Sequence, residues 1–277
     1  MIWTRCSRYG CAANSLQVYC DMSTATIVIA ATGAPVLEQA IRSALSQDHQ
    51  DLRVWVVIDG PQFENACQST LSRFIDGRIR MLQLPENTGA NGFYGHRIYA
   101  AAGHLVNTDY VLLLDQDNFM DPNHVSSLIK TIESNNWQWA HSLRKVVDRD
   151  GTYLCLDDCE SLGRWPVYVS DQHHLVDTSC YCVKREVFQQ VSSAWHWGWG
   201  GDRRFLGAIS QHFPAWGTSG QYTLNYRLDG NPNSVNREFF DQGNAVMAQR
   251  HPNGFPWTAA AQQKTVDTRS FGATVSV

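Results

Sequence analysis

Between Thr26 and Asn118 the chain repeats one unit, in which a short apolar run is followed by a polar turn and then by apolar residues at helical spacing. The runs 27–31, 54–58 and 79–84 predict strands. Val36, Leu37, Ala40, Ile41, Ala44 and Leu45 predict a first helix entered through Pro35. Phe63, Ala66, Cys67, Leu71 and Phe74 mark a second helix, and Ile98, Ala101, Ala102 and Leu105 a third. Strand starts recur roughly every 30 residues, the length of a βαβ unit, whose crossovers are right-handed, so the strands are expected to be parallel.

The fourth apolar run begins at Tyr110 and passes directly into Asp115, Gln116, Asp117 and Asn118. Such a run reads as a central strand covered on both faces, and its acids then emerge at the C-terminal end. Thr32, Asp59, Asn87 and Asp115 all close strands, so they fall on one rim, where open α/β sheets bind ligands. Two carboxylates one residue apart can share a hard divalent cation there, with water and phosphate oxygens completing its shell. The same residues would equally serve a turn that caps a helix starting near Pro122. The turn carrying Gly89, Gly92 and Gly95 either lets backbone approach a ligand or is plain turn chemistry.

After a helix over 122–134 the alternation stops. Segments 137–141, 144–147, 153–156, 165–169 and 177–183 predict short strands in mixed order, followed by a helix over 185–191 and a last strand over 222–228. Between them, Trp195, Trp197 and Trp199 with Gly198, Gly200 and Gly201 precede Asp202, which opens a helical pattern with Phe205, Leu206 and Ile209. Tryptophan faces suit the flat apolar side of a sugar ring, and such a cluster also serves as core filling beside a loop.

A chain of 277 residues that is 43% hydrophobic can bury a substantial core. Net charge of -4, with 22 Lys+Arg free of runs, gives no footprint for nucleic acid or an anionic membrane. No apolar stretch reaches the roughly 20 residues of a membrane span, and the first 21 residues lack the apolar core of a signal peptide. A soluble, cytoplasmic protein is expected. Residues 1–21 show no core-forming pattern and are read as a mobile extension or the product of an upstream start. Residues 22–249 form the domain, divided into a nucleotide-binding half (22–134) and an acceptor half (135–249), and 250–277 are read as an irregular arm. Cys155, Cys159, Cys180 and Cys182 lack zinc-knuckle spacing, so free thiols are expected.

Over roughly 24–236 the ordered pieces resemble the inverting nucleotide-sugar glycosyltransferases of family 2 with a GT-A fold. Thr32 resembles the first donor-binding turn, Val57-Ile58-Asp59-Gly60 the strand end that contacts uracil, Asn87-Thr88-Gly89 an asparagine-glycine turn, and Asp115-Gln116-Asp117 the metal-binding Asp-x-Asp. Residues 178–188 resemble the acceptor-side strand and helix. Gly200-Gly201-Asp202 stands where the family has Glu-Asp, whose Asp is the base, so Gly201 departs from the pattern. Residues 226–234 resemble a late motif that often carries a metal-binding His, with Asp229 in its place.

The resemblance implies an α/β GT-A fold: a Rossmann-like nucleotide-binding half with a mostly parallel sheet, plus a mixed acceptor-binding half. It also implies an enzyme that moves a sugar from a nucleoside diphosphate sugar, UDP-linked by resemblance, to a hydroxyl of a glycan or glycoconjugate. Asp202 would be the base. Asp115, Asp117 and Asp229 would hold Mn2+ or Mg2+, and Thr32, Asp59, Asn87, Gly89, Arg97, Asp115 and Gln116 would bind the donor. Trp197, Trp199 and Gly200 would face the acceptor. The alternative is an inactive GT-A module that only binds nucleotide-sugar or carbohydrate. A nucleotidyltransferase would carry a basic glycine-rich loop after the first strand and a dehydrogenase its glycine fingerprint there, whereas the turn holds only Gly33.

Overall fold

The computed structural model describes residues 23–228 and 235–259. Strands β1 (Ala25–Ala31), β2 (Leu52–Ile58), β3 (Ile79–Gln83) and β4 (Tyr110–Asp115) alternate with helices α1 (Leu37–Leu45), α2 (Glu64–Leu71) and α3 (His96–Leu105). All four strands pair in parallel, in the order β3-β2-β1-β4. Every residue of β1 and the first five of β4 are buried, as expected of strands covered on both faces. Ala31 stands opposite Ile58 and Ala30 opposite Asp115, and this register brings Thr32, Asp59 and Gln116 to one edge.

The chain after β4 continues the same sheet. It supplies β5 (Phe119–Met120), α4 (His124–Asn135), β6 (Trp139–Val147), β7 (Tyr153–Leu156), β8 (Tyr181–Lys184), α5 (Arg185–Val191), α6 (Gly201–His212), β9 (Trp216–Arg227) and α7 (Arg237–Arg250). From β4 the order runs β8-β6-β9-β5, with β7 paired to β6. Strand β8 is antiparallel to both β4 and β6, which makes it the join between the halves. The architecture is thus mixed α/β, with a parallel sheet in the first half of the chain, as expected.

Several segments differ from the sequence reading. The expected strands at 137–141 and 144–147 are one strand, β6, which runs on through Ser142 and Leu143, both fully buried. Residues 165–169 form turns, with the Val167 amide donating to the His173 carbonyl. Thr178–Cys180 is a 3-10 turn, because the Asp177 carboxylate accepts from the Ser179 amide at 2.9 Å and bends the chain before β8. Residues 251–259 are irregular but packed. Trp257 is buried in a second core with Leu143, Val146, Cys159, Phe240 and Met247. The extension 1–21 lies outside the described residues, and no helix among those described is long and apolar enough to cross a membrane.

Candidate active site

At the C-terminal ends of β1, β2 and β4 the structure opens a cavity of about 590 Å³, closed on its far side by the start of α6 and the end of β9. Thr32, Asp59, Asn87, Gly89, Asp115, Gln116, Asp117, Trp199, Gly200 and Asp202 all line it. Residues from the two halves, Asp117 and Asp202 among them, therefore share one space.

The rim is fixed by side chains that hold backbone. Gln116 accepts from the Thr32 and Ala34 amides at 2.9 and 3.2 Å and donates to Thr32 Oγ1 at 2.7 Å, clasping the first turn to the acidic strand end. Asp59 Oδ1 accepts from the Thr88 amide and hydroxyl, both at 2.7 Å, and Oδ2 accepts from the Gly89 amide at 2.8 Å. Gly89 is required there, since a Cβ would lie 2.2 Å from the Tyr94 carbonyl oxygen and 2.7 Å from Asp59 Oδ2.

Asp115 is held from two sides. Tyr99 donates to its Oδ1 at 2.6 Å, and its amide donates to Ser179 Oγ at 3.0 Å. Burial first, and then the carboxylates of Asp117, Asp177 and Asp202, push Asp115 up to about 8. Asp117 is also raised, by burial and then by Asp177, with the Arg227 guanidinium opposing. Arg227 Nε donates to the Asp117 carbonyl at 2.8 Å, and its amide donates to Asn118 Oδ1 at 3.0 Å, so the end of β9 braces the acidic turn.

Asp202 lies in the first turn of α6, where its Oδ1 accepts from the Arg203 amide at 2.8 Å. Burial raises its carboxyl, Asp177 adds to the rise, and Arg203 and His96 oppose it. The missing acid at position 201 has a physical cause. His96 Nδ1 donates to the Trp197 carbonyl at 2.8 Å, and a Cβ on Gly201 would lie 2.7 Å from that nitrogen.

Beneath these residues Arg144, 2% exposed, donates to Asp157 at 2.7 Å, to Asp177 at 2.6 Å and to Glu160. The cluster fixes Asp177 under the acidic pair. Sequence reading did not anticipate Arg144, because its partners are 13, 16 and 33 positions away. Tyr99, His96 and Arg227 were missed too. Tyr99 follows Ile98 on the apolar face of α3, and Arg227 stands in the late motif two residues before Asp229.

Two expected residues are not brought to the cavity. Arg97 donates to the Thr88 carbonyl at 3.1 Å and lies 3.5 Å from the centre of the Phe93 ring, so it props the glycine turn from outside while its neighbour His96 faces inward. Trp197 is half exposed beneath Arg204, 4.3 Å from its ring centre, and only Trp199 of that pair reaches the cavity. Trp195 is core, stacked on Phe205 at 4.7 Å. Asp229 lies outside the described residues. Among those described, no three His, Cys, Asp or Glu side chains are gathered to hold a metal ion between them.

Comparison with known proteins adds a family to this geometry. Residues 26–153 match the model of glycosyl transferase family 2, from β1 through the acidic strand end into β7. Over those residues the chain is similar to that family. The succinoglycan biosynthesis protein ExoO of Rhizobium meliloti is 30% identical over 142 residues, covering 51% of this chain and 39% of that protein. An uncharacterized protein of Haemophilus influenzae is 42% identical over 67 residues, 24% of this chain and 45% of its own length. The chain thus spans less than half the length of these curated relatives. Among solved structures, residues 1–349 of TarS from S. aureus align with a TM-score of 0.56 at 12% identity, covering 92% of this chain and 76% of that one. The same protein in complex with UDP-GlcNAc aligns with a TM-score of 0.53 at 14% identity, covering 84% and 67%. At these identities the likeness supports the GT-A fold and no finer property.

Proposed function

We propose that this chain is a metal-dependent inverting glycosyltransferase of family 2, which moves a sugar from a nucleoside diphosphate sugar to a hydroxyl of a glycan acceptor in polysaccharide biosynthesis. The observation that carries the reading is the shared cavity of the Asp115–Asp117 pair and Asp202. Burial first, and then the neighbouring Asp117, push Asp115 up to about 8, and a hard cation would relieve this donor set. With only two such carboxylates gathered among the described residues, diphosphate oxygens and water would complete the shell of Mn2+ or Mg2+. When bound, the ion supplies Lewis-acid stabilisation of the leaving diphosphate.

In the proposed reaction the acceptor oxygen forms a bond to the anomeric carbon as the bond from that carbon to the diphosphate oxygen breaks. The electron pair leaves with the nucleoside diphosphate. The hydroxyl proton passes to the Asp202 carboxylate, whose raised affinity for protons suits a base. Single displacement inverts the anomeric centre and needs no enzymic nucleophile. Asp59 accepts three protein hydrogen bonds, leaving one of roughly four acceptor positions on its carboxylate. That position suits the ring N–H of uracil, and TarS has been crystallised with UDP and with UDP-GlcNAc, which together favour a UDP-linked donor.

The test is calorimetric titration with UDP and other nucleoside diphosphates, with Mn2+ or with EDTA. Asp117→Ala is expected to abolish the metal-dependent part of binding. Asp109→Ala should leave it intact, because Asp109 lies just before the opposite end of β4 and binds the Thr24 amide and hydroxyl at 2.8 Å. Equal, metal-independent binding by all three proteins would overturn the reading.

A further inference from the structure

A second cavity, of about 540 Å³, borders α6, and Arg203 lines both it and the donor cavity. Its walls are Arg164, His173 and His174 from the loops after β7, Trp216 at the start of β9, and one face of α6 carrying Arg203, Gly207 and Ser210. Asp and Glu are absent from its lining among the described residues, so two guanidinium groups and two imidazoles face a space with no acid in it. The Arg164 guanidinium stacks over Trp216, 4.5 Å from the ring centre, and donates to the Trp216 and Pro214 carbonyls, which holds it in place. Arg203 reaches Glu160 only at 3.8 Å, and Glu160 is already engaged by Arg144.

Two further features point to a ligand. Ser210 Oγ is buried at this wall without a hydrogen-bond partner. Gly207 stands in the interior of α6, where glycine costs roughly 1 kcal/mol relative to alanine. Nothing in the fold requires it, since a Cβ at that position would meet no atom within 4 Å. Its effect is to leave the cavity floor open.

We infer that this cavity is an acceptor subsite for a glycan bearing anionic groups, carboxylate or phosphate. The inference rests on the glycosyltransferase reading and deepens it. Arg164, held on the Trp216 ring, and Arg203 bind the anion, the open floor at Gly207 admits the adjoining sugar, and Arg203 links the subsite to Asp202 at the head of the same helix.

The experiment measures binding of three probes to the full chain by calorimetry: an oligogalacturonate, a glycerol-phosphate oligomer and a neutral malto-oligosaccharide of equal length. At least one charged probe is expected to bind tenfold or more tightly than the neutral one, and the preferred probe names the anion. Gly207→Glu, which places a carboxylate in open space, should weaken that binding at least tenfold, and Arg164→Gln should weaken it as well. Gly207→Ala should not, and all three variants should keep metal-dependent nucleotide binding. Equal binding of charged and neutral probes, or unchanged binding in Gly207→Glu, overturns the inference while leaving the donor site untouched. Loss of nucleotide binding in the wild-type protein would instead count against the proposed activity, so the two failures are distinguishable.

Discussion

Tyr99 donates its phenolic hydrogen to Asp115 Oδ1 at 2.6 Å, from a helix in which sequence reading singled out only Arg97 for the site. The ring sits against Trp195, 5.7 Å between centres, so Phe can replace it with little loss of packing. A hydrogen bond to a charged group contributes about 1.5–3 kcal/mol. Tyr99→Phe is therefore expected to weaken metal-dependent nucleotide binding by roughly tenfold or more, read by titration at fixed Mn2+. Unchanged affinity would show that the phenol does not support the acidic pair.

Arg144 joins three carboxylates under the cavity, and removing one partner of a buried ion cluster leaves uncompensated charge, at a cost of about 3–5 kcal/mol. Arg144→Met keeps much of the side-chain volume and removes the charge. It is expected to lower the denaturant midpoint by an amount corresponding to that loss. A shift below about 1 kcal/mol would mean the three acids find other compensation.

What could be read from the sequence follows from how local each signal is. The runs ending at Ala31, Ile58 and Leu114 were legible because strands buried on both faces must be continuously apolar. Gly89, Asp59 and the Asp115–Asp117 pair stand at strand ends, where topology alone puts them on one rim. Arg97 was misplaced because helical spacing does not say which of two adjacent polar residues turns inward, and here it is His96. The buried Arg144 cluster and the Gln116–Thr32 clasp join residues far apart in sequence, so no spacing could announce them. Strand β6 was read as two segments because Ser142 and Leu143 were assigned to neither, and only the burial of both shows that the strand is continuous.

The raised carboxyl of Asp202 carries two opposite pH dependences. A base must be ionised, so turnover should fall as pH drops through a value above the ordinary 3.8 of an aspartate. Stability runs the other way. The folded state binds this proton more tightly than the unfolded chain does, so ionised Asp202 destabilises the fold as pH rises above 3.8 and through the raised folded value. Asp202→Asn should therefore raise the melting temperature more at pH 8 than at pH 4. An equal shift at both would show that the carboxyl is not perturbed.

The most direct test of the account is the turnover of Asp202→Asn. Asn keeps the shape and can still accept from the Arg203 amide, but it cannot take a proton. With nucleotide-sugar saturating and Mn2+ present, release of nucleoside diphosphate should fall by at least about a hundredfold while the donor dissociation constant stays within about twofold of wild type. Near-normal turnover, or loss of donor binding in place of turnover, would contradict the assignment of Asp202 as the base.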